Sequence, residues 1–378
     1  MIYFDNCATT KPDAAVLSTF NAINEEFSYN AASPHKKGLE TQQLLEEARR
    51  QIKHILKLDQ QSIVFTSGAT ESNNIALTGM ARAKKAFGQT IITTKLEHPS
   101  VLETIRGLEQ EGFTVKYVSF KEDGTLDMEH FEELLSSDVV VVSIMHVNNV
   151  MGCVLPIAEI AELLKSYPKV HFHVDCVQSF GKVPLVINGV DSFSLSGHKF
   201  NGLKGQGLLV INQLRNLVKT VYGGGQEYGF RSGTSNIAGN VTLSKAMRMT
   251  MEEMEMQRAR LYQFKQDVEN FVKQFPGIRL NSHPNGAPHI VNFSFVGIKG
   301  EVVVNAFSQR DIMISTTSAC SSKRAKLNET LTALHVPEAA ITGSVRVSFS
   351  KNNTVEELDA FKDAFKEIYS EVEELLDK

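Results

Sequence analysis

No stretch of this chain approaches the roughly 18 uninterrupted apolar residues of a membrane helix, so a spanning protein is not expected. The first residues, MIYFDNCATTKPD, lack the basic start and apolar stretch of a secretory signal, which points to a cytoplasmic protein. Basic runs are missing too, and the net charge is −4. A nucleic-acid grip of its own is therefore not expected, because phosphate binding needs clustered Lys and Arg. There are only 4 cysteines, Cys7, Cys153, Cys176 and Cys320, with neither CxxC pairing nor zinc spacing. No metal site is expected, and the thiols should be free in a reducing compartment. Internal repeats and low-complexity tracts are absent as well.

What is present is a chain of 378 residues, 42% hydrophobic and 22% charged, enough for one large core and a smaller second one. Short apolar runs alternate with helical patterns. SIVFTS (62–67) precedes ATESNNIALTGMARA, TIITTK (90–95) precedes HPSVLETIRGLEQ, and FTVKYVSF (113–120) precedes MEHFEELLSS. DVVVVSIMHV (138–147) precedes PIAEIAELLKSY, and KVHFHVD, VDSFSLS and QGLLVIN follow. Continuous β-branched runs spaced by helices predict an α/β fold with a largely parallel sheet covered on both faces. From about Ile237 a helical stretch runs to Phe275. Its methionines (Met247, Met249, Met251, Met254, Met256) do not keep helical spacing and read as core filler. After the turn-rich FPGIRLNSHPNGAPH the runs HIVNFSFVG, IMIS and SVRVSFS, with a charged amphipathic tail, predict a second, smaller α+β domain.

In open parallel sheets ligands bind beyond the carboxyl ends of the strands. Five runs here end on chemistry-bearing residues: Ser67-Gly68-Ala69-Thr70-Glu71, His98-Pro99, Asn148-Asn149, Asp175 with Gln178 beyond it, and Ser196-Gly197-His198-Lys199. Each has an ordinary reading as a cap, a turn or a loop exit. His171 and His173 read as strand residues on one face. Together the five ends offer a phosphate nest, a flat ring, an amide, a carboxylate and an amine, the parts of a pyridoxal phosphate site.

The motifs FDNCATT, TSGATESNN, EHPSV, MHVNN, HVDCVQSFGK, SGHKFNGLKG, GGGQEYGFRSGT and TTSACSS run in this order along nearly the whole chain. In them the sequence resembles the cysteine desulfurases of the NifS/IscS family, which are fold-type I pyridoxal-phosphate enzymes. The resemblance implies a large domain with a mostly parallel seven-stranded sheet and a smaller α+β C-terminal domain. It also implies an N-terminal arm over 1–15 packing with the small domain, a cofactor-binding domain over 16–255 and a small domain over 256–378 carrying the catalytic cysteine loop. Lys199 would carry the cofactor and act as acid and base, Asp175 would meet its ring nitrogen, and His98 would stack on the ring in a catalytic role. Asn149 and Gln178 would bond the ring oxygen or the substrate side of the site. Ala69, Thr70, Ser196 and His198 would hold the phosphate, joined by Thr234 from a second subunit of a homodimer. Arg346, with Asn149, would bind the substrate, Arg346 clamping its carboxylate, and Cys320 would be the nucleophile.

The implied reaction removes sulfur from L-cysteine, leaving a persulfide on Cys320 and L-alanine. An iron–sulfur scaffold protein or a tRNA-thiolating sulfurtransferase would take the sulfur onward. A free cysteine is only about 3% thiolate at neutral pH, and a free lysine is neutral in about one molecule in 2,500. Both therefore need help from their surroundings. Lys323 and Arg324 flank the Cys320 segment and favour its thiolate. Other readings are a selenocysteine lyase or an aminotransferase, neither of which needs Cys320, and a non-enzymatic thiol carrier of sulfur. Four residues depart from the family pattern: Cys7 in place of Ala, Val150 in place of Glu, and Thr316-Thr317 in place of Ser-Gly. The β-branched pair is expected within the long catalytic loop and should stiffen it.

Overall fold

The structure, a computed structural model, describes residues 1–283, 285–317 and 328–376. Seven strands form the main sheet: β2 (Ser62–Thr66), β3 (Thr90–Thr94), β4 (Thr114–Val118), β5 (Val139–Ser143), β6 (His171–Asp175), β7 (Ser192–Ser196) and β8 (Gly207–Ile211). Their order is β2-β8-β7-β6-β5-β3-β4, and only β8 runs against the others. A short return over 197–206, opening on a single 3-10 turn, brings β8 back antiparallel, so the remaining strands all point their carboxyl ends to one edge.

Period-two alternation divides the side chains of this sheet between two layers. Val64, Ile91, Val141 and Leu209 face one core, with residues of helices α3 (Ala69–Lys84) and α4 (Pro99–Gln110). Phe65, Ile92, Val142 and Phe172 face the other, with residues of α2 (Lys36–Leu56), α5 (Met128–Leu134) and α6 (Ile157–Leu164). Burial on both faces explains why β5 reads as an unbroken VVVVS rather than an alternating pattern.

A second sheet has the order β12-β13-β10-β9, formed by β9 (Ile278–Leu280), β10 (Ile290–Phe295), β12 (Ser315–Thr316) and β13 (Ser344–Ser348). Its core is rich in phenylalanine, with Phe293, Phe295, Phe361 and Phe365 packed together. Helices α8 (Gly300–Ser308) and α11 (Val355–Val372) cover it, and a capping box of Thr354 and Glu357 starts α11. The short helices α9 (Glu329–Ala333) and α10 (Glu338–Thr342) lie between β12 and β13 in the chain. Helix α7 (Ile237–Val272) is continuous between the cores, giving Leu243 and Met247 to one and Phe264 and Val268 to the other. Of its methionines, Met247 is buried and Met256 is 68% exposed, so the filler reading does not extend to Met256.

The N-terminal segment ties the two sheets together. Strand β1 (Ile2–Tyr3) pairs in parallel with β11 (Ile312–Met313), and Asp5 bridges to Ser348. Farther on, Thr10 donates its N–H to the His198 carbonyl, and Asp13 donates to that of Asn201, just before α1 (Ala14–Glu26). The turn carrying Lys199 is thereby held from the small sheet's side.

Candidate active site

The carboxyl ends of β2, β3, β5, β6 and β7 open onto a cavity of about 730 Å³. Ala69, Thr70, His98, Asn149, Asp175, Gln178, Ser196, His198, Lys199 and Arg346 all line it. Thr234 does not. It lines a smaller neighbouring cavity beside Ser67, Gly205 and Arg231. Cys320 lies outside the described residues.

At the end of β2 the chain turns through Gly68, whose φ of 155° favours glycine. A Cβ on Gly207 would stand 2.5 Å from the Gly68 Cα, so the start of β8 must also be glycine for the two backbones to touch. Helix α3 then begins with no side-chain cap, leaving its first N–H groups turned toward the cavity end. Glu71 in its first turn accepts from the Ser67 N–H at 2.5 Å and from Arg231 Nε at 3.0 Å. That pair draws the GGGQEYGFRSGT segment close to the helix start.

Asp175 ends β6 and is 4% exposed. Its Oδ1 accepts from the Val177 N–H and its Oδ2 from Asn73 Nδ2, each at 3.0 Å. Asn73 Nδ2 also donates to Ser100 Oγ at 2.9 Å. With that amide facing Asp175, Asn73 Oδ1 must accept, so His173 donates from Nε2 at 2.9 Å. His173 Nδ1 then accepts from Ser192 Oγ at 2.8 Å, and Ser192 accepts from His171 Nε2 at 2.7 Å. Burial drives His173 down to about 3 and His171 well below the usual histidine range, so both rings are neutral. The result is a buried line of donors, all pointing toward the Asp175 carboxylate.

His98 unites two roles. Its Nδ1 caps α4 by accepting from the Ser100 N–H at 3.1 Å, and the residue lines the cavity. Burial lowers its pKa against the pull of Asp175. Next to it Glu97 is buried; Oε1 accepts from the Met145 N–H at 2.5 Å, and Oε2 has no partner among the described residues. Burial raises its carboxyl well above the usual range, with Asp175 adding to the shift. Asn148 is structural: its Oδ1 accepts from the Val150 and Met151 N–H groups, and its Nδ2 donates to the Leu96 carbonyl.

Lys199 leaves β7 on a single 3-10 turn, Gly197–Lys199. Its Nζ donates to the carbonyls of Cys7 at 2.6 Å and Ala8 at 2.8 Å. Burial pulls its amine below the ordinary lysine range, and the Arg346 charge adds to this against the opposing pull of Cys7 and Asp175. Gln178 Nε2 donates to the same Cys7 carbonyl at 3.1 Å, and its Oε1 pairs with His289 Nε2 at 3.3 Å. Burial takes His198 to about 4; its Nδ1 meets Thr9 Oγ1 at 3.1 Å. Arg346 in β13 donates to the Asn149 carbonyl and to Asp5 Oδ1, both at 2.7 Å.

Cys7, Cys153 and Cys176 are buried free thiols. Burial raises all three, Cys153 to about 11, which leaves them poor nucleophiles. Among the described residues no cluster of His, Cys, Asp and Glu has the form of a metal site, and no helix is long and apolar enough to cross a membrane. The sequence reading missed Asn73, Glu97 and Asp5 as parts of this site. Each lies inside a motif quoted above, Asp5 in FDNCATT, Asn73 in TSGATESNN and Glu97 in EHPSV, but no local feature marked it as part of the site.

The donor set suits pyridoxal phosphate. An uncapped helix start beside the Ser196 hydroxyl matches a phosphate, a Gly68 without Cβ leaves that cradle open, and the buried carboxylate and amine match the ring nitrogen and the aldehyde. Fold and site together define a fold-type I pyridoxal-phosphate enzyme. The aminotransferase class-V family model matches residues 2–361. A NifS/IcsS protein homolog from Lactobacillus delbrueckii subsp. bulgaricus is 43% identical, covering 98% of this chain and 97% of its own. The cysteine desulfurase IscS of Dictyoglomus turgidum is 35% identical, with 97% and 94% covered. A solved NifS-like protein superposes with a TM-score of 0.91 at 34% identity, covering 98% of this chain and 99% of that one. The chain belongs to the aminotransferase class-V family and, within it, to the NifS/IscS cysteine desulfurases.

Proposed function

We propose that this chain removes sulfur from L-cysteine as a persulfide on Cys320 and releases L-alanine. The observation that carries this reading is the single cavity shared by Lys199, Asp175, His98, Arg346 and the uncapped start of α3. Pyridoxal phosphate, when bound, supplies the electron sink that makes the Cα proton labile and the Cβ–S bond breakable.

The chain's own residues do the rest. Lys199, its amine lowered by burial, holds the cofactor and moves the proton at Cα. Asp175, fed by Asn73, supports a positive charge on the ring nitrogen. The neutral ring of His98 would stack on the cofactor, and Gln178 and Asn149 would bond its oxygen or the substrate. The first N–H groups of α3, with Thr70, Ser196 and His198, hold the phosphate. Arg346, with Asn149, takes the substrate carboxylate. Cys320 attacks the substrate sulfur as thiolate: an S–S bond forms, the Cβ–S bond breaks, and its electron pair stays with the amino-acid skeleton, which leaves protonated as L-alanine.

Thr234 reaching the phosphate from a second copy makes the enzyme a homodimer. Support comes from Tyr222 and Tyr228, aromatic side chains 78% and 53% exposed on the segment that carries it. We assign an arm over 1–15, a cofactor domain over 16–255 and a small domain over 256–378. The protein acts in the cytoplasm and passes sulfur to an iron–sulfur scaffold or a tRNA-thiolating sulfurtransferase. The test is to reconstitute the protein with pyridoxal phosphate, fix it with borohydride and map the modified lysine, alongside L-cysteine-dependent alanine release. Modification of Lys199 with alanine release supports the reading. Colourless protein that releases no alanine contradicts it.

A further inference from the structure

Arg346 lines the cavity, yet two of its N–H groups are already engaged. One is held by the Asn149 carbonyl and one by Asp5 Oδ1, each at 2.7 Å. Its Nε is buried with no partner among the described residues. Asp5 is absent from the cavity wall and reaches the guanidinium from the N-terminal arm. That arm is fixed: Asp5 bridges to Ser348, and Asn6 Nδ2 donates to the Ser348 carbonyl at 2.9 Å and to Asn353 Oδ1 at 3.2 Å. The Arg346 and Asp5 side chains are only 8% and 21% exposed, so water screens the pair incompletely.

L-Cysteine and L-alanine carry the same α-carboxylate. An arginine without a counter-charge would attract substrate and product equally, which is uniform binding and delays release without speeding the reaction. We propose that Asp5 sets the affinity of the carboxylate subsite: its oxygen aims Arg346, while its charge offsets part of the attraction and eases the departure of L-alanine. This rests on the reading of Arg346 as the substrate-carboxylate site. Asp5 is a positioning residue in it.

The test uses the holoenzyme. Asp5→Asn keeps an oxygen acceptor and removes the charge. KM for L-cysteine and the inhibition constant of L-alanine should both fall, by about threefold to fivefold, the scale of a partly screened ion pair, and kcat should change less. 3-Mercaptopropionate has the carboxylate and thiol but no amine. Its binding, followed by calorimetry, should tighten by the same factor, independently of turnover. Asp5→Ala loses both aim and charge, so its KM should lie above that of Asp5→Asn. Unchanged or weakened carboxylate binding in Asp5→Asn overturns the proposal; if that variant misfolds, Asp5→Ser takes its place under the same criterion. Arg346→Gln separates the two readings. A raised KM there, with no tightening in Asp5→Asn, sinks the role of Asp5 alone. An unchanged KM in Arg346→Gln sinks the carboxylate site itself.

Discussion

Replacing Asn73 with Ala removes a side chain that touches three partners in a fully buried place. The largest loss is the bond from Nδ2 to the Asp175 carboxylate, at 3.0 Å. A hydrogen bond to a charged group contributes about 1.5–3 kcal/mol. If that support is realised when charge develops on the ring nitrogen, kcat should fall about tenfold to a hundredfold. The fold weakens too, because His173 Nε2 and Ser100 Oγ lose a partner beside a small cavity, together about 2–4 kcal/mol. Alanine release should therefore be measured well below the melting midpoint, with the visible spectrum of the bound cofactor as a second readout that a merely weakened fold leaves unmoved. Asn73→Asp, nearly isosteric, places a second carboxylate against Asp175 and should lower kcat at least as far. A kcat within about twofold of the parent in Asn73→Ala, with an unshifted spectrum, would refute the claim that this line of donors serves Asp175.

Acid should destabilise the protein through its buried neutral histidines. Their folded pKa values are depressed, so the unfolded chain binds more protons as pH falls below about 6.5. Stability should then drop by roughly 1.4 kcal/mol per pH unit for each such histidine, continuing to about 4 for His146 and about 3 for His173. Denaturant titrations across that range check it, and a flat profile contradicts the burial argument. Lys199→Ala should abolish alanine release while the far-ultraviolet dichroism stays unchanged, since among the described residues the amine bonds only two arm carbonyls. Light scattering should give a dimer at working concentration; a fully active monomer would exclude Thr234 from a partner's site.

Much of this was legible in the sequence because the chemistry sits at strand ends. TIITT and VVVVS, buried on both faces, could be little else than central strands, and the residues after them open onto one cavity. His98 shows why one sequence feature can hold two readings: it caps α4 and lines the cavity at once. What stayed hidden depends on long-range contact. Asn73 meets Asp175 across 102 residues and Asp5 meets Arg346 across 341, and no local pattern carries such pairings. Glu97 drew no reading from the sequence, where nothing local shows that the turn folds it against the Met145 N–H and leaves it 3% exposed. His171 and His173 were readable as strand residues on one face; their bonds through Ser192 needed the neighbouring strand.

The central claim is that sulfur leaves L-cysteine for Cys320. The direct measurement is mass analysis of protein treated briefly with L-cysteine, peptide by peptide, with L-alanine quantified in the same sample. One added sulfur atom is expected on the Cys320 peptide, none on those of Cys7, Cys153 or Cys176, and no alanine from Cys320→Ser at the parent rate. Sulfur added at Cys7 or Cys176, or alanine released at the parent rate by Cys320→Ser, would contradict it.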